Sequence, residues 1–180
     1  GILWFASERR VLDMVSIKGL EHWKRIKGRP IILLAPHFIG LNMGGARLGH
    51  EAPDSASMYS RQKNPVLDRL FIQGRRRFGN PLLLSRQDGM RGIVKALREG
   101  RMLYFLPDMD FGPRDAIFVP FFGVPAATVT ALPRLAKLGR ATVLPVVSWM
   151  RERGYEAEIF PPWEDFPTDD LEADVRRMNA

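Results

Sequence analysis

Short apolar segments alternate with amphipathic segments along most of the chain. Residues 31–35 and 102–106 are almost entirely apolar, which is typical of strands buried on both faces of a sheet. Residues 65–78 and 89–98 instead place apolar side chains at helical spacing. Strands that alternate with helices predict an α/β fold, with a mixed central β-sheet flanked by helices.

Further segments extend this predicted layer structure. Strands are predicted at residues 14–17, 56–59, 82–84, 142–147 and 155–160, and helices at residues 20–26, 41–48 and 126–138. Asp88 is positioned to cap the helix of residues 89–98, in which Ile93, Ala96 and Leu97 face the core. The many Pro and Gly residues between positions 107 and 125 predict a long loop there.

Composition narrows the class of protein. The chain has 180 residues, 46% of them hydrophobic, and neither a repeat nor a low-complexity tract, which predicts one compact domain. The net charge of +7 favours an anionic partner, such as nucleic acid, anionic lipid or an acidic carrier protein. Because cysteine is absent, disulfides, a thiol nucleophile and thiolate metal sites are excluded. No apolar run approaches the about 18 residues that cross a bilayer.

His37 is the first candidate for chemistry. It follows the predicted buried strand of residues 31–35 through Pro36, and the carboxyl ends of strands are where α/β folds bind their ligands. An imidazole can act as a general base near neutral pH. Asn42 lies five residues later, where its side chain can fold back onto the ring. The alternative is a structural role for both residues, His37 in the core and Asn42 as a helix cap.

Three further segments carry polar or aromatic side chains suited to binding. Arg75, Arg76 and Arg77 form a basic cluster whose guanidinium groups suit phosphates, or alternatively a solvated helix end. Asp108 and Asp110 follow the strand of residues 102–106. They are interpreted as a turn, as part of a cleft shared with His37, or as the metal ligands of a glycosyltransferase. Residues 119–132, with their adjacent phenylalanines, form either an apolar, rigid wall or plain core.

Together these motifs resemble a known family. The segment LLAPHFIGLNMGGARL, residues 33–48, resembles the His-x4-Asp/Glu motif of the lysophospholipid acyltransferase superfamily. It is closer still to the lauroyl/myristoyl acyltransferases of lipid A biosynthesis, and residues 58–147 run parallel to that family as well. The resemblance implies a glycerolipid-acyltransferase-like fold. Because family members extend further at both ends, residues 1–180 are expected to be a single catalytic domain that lacks an N-terminal membrane helix and a C-terminal segment.

The resemblance also implies an activity. An acyl chain would pass from acyl-acyl carrier protein to a hydroxyl of a phosphorylated glucosamine disaccharide lipid at the cytoplasmic face of the bacterial inner membrane. His37 would be the general base, with no metal, no organic cofactor and no nucleic acid partner. No Gly-x-Ser-x-Gly nucleophile motif is present, so direct attack by the acceptor is expected rather than an acyl-enzyme.

Site residues are carried over from the family position by position. The implied catalytic pair is His37 with Asn42. Tyr59 and Gly74 belong to the same family block as Asn64, Arg75 and Arg77. The implied substrate-binding residues are Arg61, Asn64, Arg75, Arg77, Asp108, Asp110, Phe122 and Gly123. The family places an acid where this chain has Asn42. That departure leaves open a second hypothesis, a lipid- or carrier-binding homologue with impaired catalysis, beside the metal-dependent glycosyltransferase.

Overall fold

The computed structural model describes residues 2–85, 89–109 and 115–180. Its strands are β1 (Val15–Lys18), β2 (Ile31–Leu34), β3 (Ala56–Tyr59), β4 (Leu82–Ser85), β5 (Leu103–Phe105), β6 (Ala116–Phe121), β7 (Val124–Val129), β8 (Thr142–Arg151) and β9 (Gly154–Ile159). Its helices are α1 (Ile2–Phe5), α2 (Glu8–Met14), α3 (Leu20–Arg25), α4 (Leu41–Glu51), α5 (Pro65–Arg75), α6 (Gly89–Arg98), α7 (Ala131–Gly139) and α8 (Leu171–Asn179).

Seven strands form the central sheet, in the order β1-β9-β8-β2-β5-β3-β4, while β6 and β7 pair separately. Neighbours in the large sheet are parallel, apart from the antiparallel pair of β8 and β9. The sheet is therefore mixed, and the predicted α/β class is confirmed.

The central strands bury both of their faces because successive side chains point to opposite sides of the sheet. In β2, Ile32 and Leu34 join a core cluster with Leu97 and Leu132 of helices α6 and α7. Ile31 and Leu33 join a second cluster on the other side, with Trp23 of α3 and Leu48 of α4. This two-sided burial explains the continuous apolar run of residues 31–35 in the sequence.

Most predicted elements are confirmed to within a few residues. The predicted burial of Ile93, Ala96 and Leu97 in α6 is confirmed as well. Asp88, the predicted cap of that helix, lies outside the described residues. Pro133 fits inside α7 because it is the third residue of the helix, where a backbone N–H has no partner within the helix.

The prediction of a loop at residues 107–125 and a helix at residues 126–138 is wrong between residues 116 and 130. Strands β6 and β7 form a hairpin there, and α7 begins only at Ala131. Pro120 and Pro125 lie opposite each other, one pair away from the Phe121–Val124 pair that closes the turn. In a hairpin with a two-residue turn, the pair next to the one that closes the turn is not hydrogen-bonded. Neither proline therefore has to donate a backbone N–H.

No helix in the described part of the chain combines the length and the hydropathy that crossing a bilayer requires.

Candidate active site

His37 and Asp108 follow neighbouring strands at the same edge of the central sheet. Strands β2 and β5 are parallel, with Leu34 opposite Phe105. Each strand leads into a short segment with proline directly before the polar residue, Ala-Pro-His in one case and Leu-Pro-Asp in the other. The backbone N–H of Ala35 donates to the carbonyl of Phe105 at 2.9 Å, which keeps the two segments in register. Equal spacing beyond the paired strands therefore brings His37 and Asp108 together.

The Asp108 carboxylate contacts His37 twice. Its Oδ2 accepts a hydrogen bond from the backbone N–H of His37 at 2.6 Å, and its Oδ1 lies 2.6 Å from the ring Nδ1. An ionised carboxylate only accepts, so Nδ1 carries the proton and Nε2 is left as the ring nitrogen that can accept one. The two side chains remain 41% and 37% exposed, so a ligand can reach the imidazole.

Asn42 is the residue that the motif spacing pairs with the imidazole. It lies in the first turn of α4, whose N-cap residue is Gly40, so Asn42 does not cap the helix either. Within the residues that the structure describes, the hydrogen bond at Nδ1 of His37 joins it to Asp108, and none joins it to Asn42. Asn42 does line the same cavity as His37, so a role in the site stays a prediction.

Two glycines bring α4 close to β8. A Cβ on Gly40 would lie 2.9 Å from the backbone carbonyl carbon of Ser148, and a Cβ on Gly44 would lie 2.1 Å from Ser148 Oγ. A side chain at position 40 would require the helix to move away from the strand, and one at position 44 would require Ser148 or the helix to move. Because His37 lies in the segment that leads into α4, this close approach also positions the backbone around His37.

A cavity of about 710 Å³ opens beside the imidazole. That volume falls within the range of about 300–1,000 Å³ found for small-molecule sites. His37, Asn42 and Arg75 line it together with many apolar side chains, among them Trp4, Met58, Phe71, Met90, Ile93 and Phe105. A mostly apolar chamber with a few polar groups near one imidazole suits a substrate that has a long apolar chain and a reactive polar end.

Arg75 is the last residue of α5 and contributes a cation to the cavity wall. Desolvation lowers the pKa of its guanidinium, an effect that the nearby Tyr104 partly opposes. Burial in turn raises the pKa of the Tyr104 phenol, whose hydroxyl donates to the carbonyl of Leu41 at 3.5 Å. In the described part of the chain, no carboxylate forms an ion pair with Arg75. A partly desolvated cation of this kind is suited to receive an anionic group of a ligand.

Sequence comparison identifies the family. The chain matches the profile of the bacterial lipid A biosynthesis acyltransferases over residues 1–180. It belongs to this family. It is 35% identical to the lipid A biosynthesis lauroyltransferase of Escherichia coli K12, over 99% of this chain and 59% of that relative. It is also 39% identical to a lipid A biosynthesis acyltransferase of Haemophilus influenzae (99% of this chain, 57% of the relative) and 32% identical to the Escherichia coli myristoyltransferase (93% and 52%).

The resemblance that the motifs indicated is thereby confirmed. The chain spans between about half and three fifths of the length of these relatives.

The predicted substrate-binding residues of this acyltransferase-family chain are divided between the cavity and other places. Tyr59 and Gly74 line the cavity with Arg75, whereas Arg61 does not, although its neighbours Ser60 and Gln62 do. Asp110 lies outside the described residues.

Asn64 and Arg77 have structural contacts instead. Asn64 is the N-cap of α5, and its Oδ1 accepts from the backbone N–H of Val66 at 2.9 Å. The guanidinium of Arg77 donates to the backbone carbonyls of Leu3 and Ala6 and lies over the ring of Phe78, so it anchors the segment around α1.

Phe122 and Gly123 form the turn between β6 and β7, outside the residues that line the cavity. Their predicted role in binding substrate therefore finds no support in the position of the hairpin turn.

Of the Asp-x-Asp segment, the structure describes Asp108 and not Asp110. Among the described residues, no group of three or more His, Asp or Glu side chains is placed to hold a metal ion. Asp108 directs both of its carboxylate oxygens at His37. The position of Asp108 therefore favours a His–Asp pair over a metal site for a nucleotide sugar.

Trp4 and Tyr104 line the cavity but were not among the predicted site residues. The Nε1 of Trp4 donates to the carbonyl of Leu70 at 3.1 Å, and its ring meets Phe71 edge-on at 5.9 Å. The sequence offered one signal for Tyr104, a hydroxyl within an otherwise apolar strand. It offered none for Trp4, because only the fold brings α1 against α5.

Proposed function

We propose that the chain is the catalytic part of an O-acyltransferase that moves a fatty acyl chain from acyl-acyl carrier protein to a hydroxyl of a lipid A precursor. The observation that carries this proposal is the His37–Asp108 pair beside a largely apolar cavity. Membership of the lipid A biosynthesis acyltransferase family supports the acceptor and the type of reaction.

The proposed chemistry begins with the acceptor hydroxyl at Nε2 of His37. Nε2 takes the hydroxyl proton while the oxygen attacks the thioester carbonyl carbon, which forms a tetrahedral intermediate. The carbon–sulfur bond then breaks, and the imidazolium returns the proton to the departing thiolate. The products are an ester and a free thiol on the carrier, so no covalent enzyme intermediate is required.

Asp108 stabilises this cycle at two points. Its Oδ1 holds the proton on Nδ1, which keeps Nε2 free to accept the hydroxyl proton. Its negative charge also stabilises the imidazolium that forms during attack. The second hydrogen bond, from the His37 backbone N–H to Oδ2, fixes the carboxylate relative to the ring. A carboxylate is therefore present at the base even though position 42 holds an amide, and this favours an active enzyme over a binding protein.

The remainder of the cavity suits the two lipid substrates. Apolar side chains such as Met58, Met90 and Ile93 provide a surface on which each buried methylene contributes about 0.8 kcal/mol. Arg75 is assigned to a phosphate of the acceptor, because it is the wall cation whose pKa desolvation lowers. An acceptor of this kind resides in a membrane, so we place the reaction at the cytoplasmic face of the bacterial inner membrane.

An assay of His37→Ala tests the proposal. The measurement is transfer of a radiolabelled acyl chain from acyl-acyl carrier protein to a phosphorylated lipid A precursor. We expect a loss of roughly 10²–10⁴-fold, the usual contribution of a general base.

His50→Ala is the matched control for this assay. His50 also pairs with a carboxylate, Glu8 at 3.0 Å, but it does not line the cavity. A folded His37→Ala protein that turns over at the rate of His50→Ala would remove the general base from the proposal.

A further inference from the structure

The hairpin of β6 and β7 exposes an apolar tip. No residue between positions 116 and 129 carries a charge. Phe122 at the turn is 92% exposed, and Phe118, Phe121 and Val124 are exposed at 67%, 48% and 65%. Phe122 also has a φ of 48°, in the left-handed region that large side chains rarely adopt. The free chain thus presents four large apolar side chains to water on one projecting element.

A second hairpin in the same molecule provides the comparison. Strands β8 and β9 are also joined by a two-residue turn, but that turn consists of Glu152 and Arg153 and is flanked by Arg151. This charged turn is the usual solution for an element that ends in water. Exposure of a turn therefore does not by itself account for the aromatic tip of the β6–β7 hairpin.

The aromatic hairpin contacts both the cavity and helix α8. Asp115, Val129 and Thr130 at its base line the cavity. On one face, Asn179 of α8 donates from Nδ2 to Thr128 Oγ1 at 2.8 Å and to the carbonyl of Pro120 at 3.4 Å. The base of the hairpin therefore adjoins the cavity, and its apolar tip lies at the opposite end of the two strands.

The charges nearby favour one occupant for this tip. An acidic carrier protein would be bound mainly through cations, whereas a bilayer takes up uncharged apolar side chains such as those of residues 116–129. The charged side chains near the base are Asp115 and Arg134, which both line the cavity, and Arg134 has no carboxylate partner among the described residues. An apolar tip with charged side chains only at its base matches a bilayer surface, where Arg134 can stay at the level of anionic headgroups.

We propose that Phe121, Phe122 and Val124 insert into the surface of an anionic lipid bilayer and hold the cavity beside it. The strand length permits this, because Phe121 lies five residues beyond Ala116, or about 17 Å along β6. Interfacial elements bury their apolar groups by about 5–10 Å, so the tip can enter while the base stays at the surface. The inference rests on the proposed function, in that a lipid acceptor would then enter the cavity directly from the membrane.

The chain contains no cysteine, so a single introduced thiol can be labelled selectively. Phe122→Cys and Glu152→Cys place the thiol at the first turn position of the two hairpins. Each protein is labelled with an environment-sensitive nitrobenzoxadiazole group and mixed with vesicles of equal parts phosphatidylcholine and phosphatidylglycerol. We expect the label at position 122 to brighten and shift to shorter wavelength, and the label at position 152 to remain unchanged.

Vesicle cosedimentation of unlabelled variants provides the second measurement. Phe122→Ser should lower the partition coefficient by about tenfold or more, whereas Met150→Ser, which removes an exposed apolar side chain beside the charged turn, should not change it. Equal responses of the two labels, or unchanged binding of Phe122→Ser, would overturn the proposal. So would a response at position 122 to acyl carrier protein alone, or to higher protein concentration without vesicles. Vesicle binding does not require turnover, so the His37→Ala protein should bind vesicles as the parent chain does. This expectation holds even if the proposed chemistry is wrong.

Discussion

Replacement of Asp108 by asparagine should reduce turnover while leaving the fold intact. In the parent chain both carboxylate oxygens accept, Oδ2 from the backbone N–H of His37 and Oδ1 from its ring N–H. An amide has one oxygen and one NH2 group, so it can satisfy only one of these donors. If the oxygen keeps the backbone bond, the NH2 group faces Nδ1 and selects the tautomer with its proton on Nε2. That tautomer cannot accept a proton from the acceptor hydroxyl.

The size of the loss follows from the charge that Asp108 supplies. An imidazolium and a carboxylate with charge centres about 4 Å apart attract by about 1 kcal/mol in water and about 4 kcal/mol near a protein surface. The pair is 41% and 37% exposed, so the true value lies between these limits. Each 1.36 kcal/mol of lost transition-state stabilisation is tenfold in rate, so kcat should fall by roughly 5- to 10³-fold. The tautomer effect adds to this loss, and the exchange of Asp for Asn in the serine-protease triad, about 10⁴-fold, sets an upper guide.

The assay measures kcat and KM for Asp108→Asn with both substrates, beside thermal unfolding of the same protein. Glu8→Gln is the matched control, because it makes the same change in the His50 pair outside the cavity. We expect kcat to fall for Asp108→Asn alone, with KM changed little. A folded Asp108→Asn protein whose kcat stays within about threefold of the parent value would refute the argument, since even a water-screened pair contributes more than that.

Three further substitutions test other parts of the site. Arg75→Ala should raise KM for a phosphorylated acceptor by about 10- to 150-fold, equivalent to about 1.5–3 kcal/mol, and leave KM for the dephosphorylated lipid unchanged; equal effects on both lipids would exclude the phosphate assignment. Gly44→Ala should lower the free energy of unfolding, measured by chemical denaturation, by about 1–3 kcal/mol, because the new Cβ would lie 2.1 Å from Ser148 Oγ. In the same helix, a Cβ at Gly49 would meet nothing within 4 Å, so Gly49→Ala should be neutral or slightly stabilising in the same measurement. Asn42→Asp should raise kcat by less than about fivefold, because Asp108 already supplies a carboxylate at Nδ1 and a second one adds about 1 kcal/mol or less. A tenfold gain would show that position 42 is the working acid.

The sequence was sufficient to predict the central sheet and its class. Strands covered on both faces contain little besides apolar residues, so β2 and β5 were visible as continuous apolar runs. The same reasoning placed His37 and Asp108 at one edge of the sheet. The hairpin of β6 and β7 was missed because its turn and its prolines read as loop chemistry. Only the pairing register, which puts Pro120 opposite Pro125, shows that these prolines are compatible with strands.

The hydrogen-bond partner of the His37 ring is not the residue that local spacing indicated. The motif directed attention to Asn42, five residues along the chain, although a residue in the first turn of the next helix need not face the imidazole. The partner in the structure is 71 residues away. Its position depends on which strand lies beside β2, a long-range fact that a single sequence does not contain. The available signal was that Ala-Pro-His and Leu-Pro-Asp have the same length after their strands. That signal could be interpreted only once β5 was known to lie beside β2.

The arrangement explains how a chain with an amide at position 42 can retain a charged partner for its base. The family motif places the acid in the helix that follows the histidine, so loss of that acid at first suggests lost catalysis. In this chain a carboxylate comes from Asp108, three residues after the end of the neighbouring strand β5, and strand register rather than helix geometry sets its distance from the ring. A register is a more rigid constraint than the first turn of a helix, because a slip of one residue would turn the side chains of the whole strand to the opposite face. The proposed activity of this chain therefore depends on the pairing of β2 with β5, and substitutions that disturb that pairing should affect turnover before they affect the binding of either lipid.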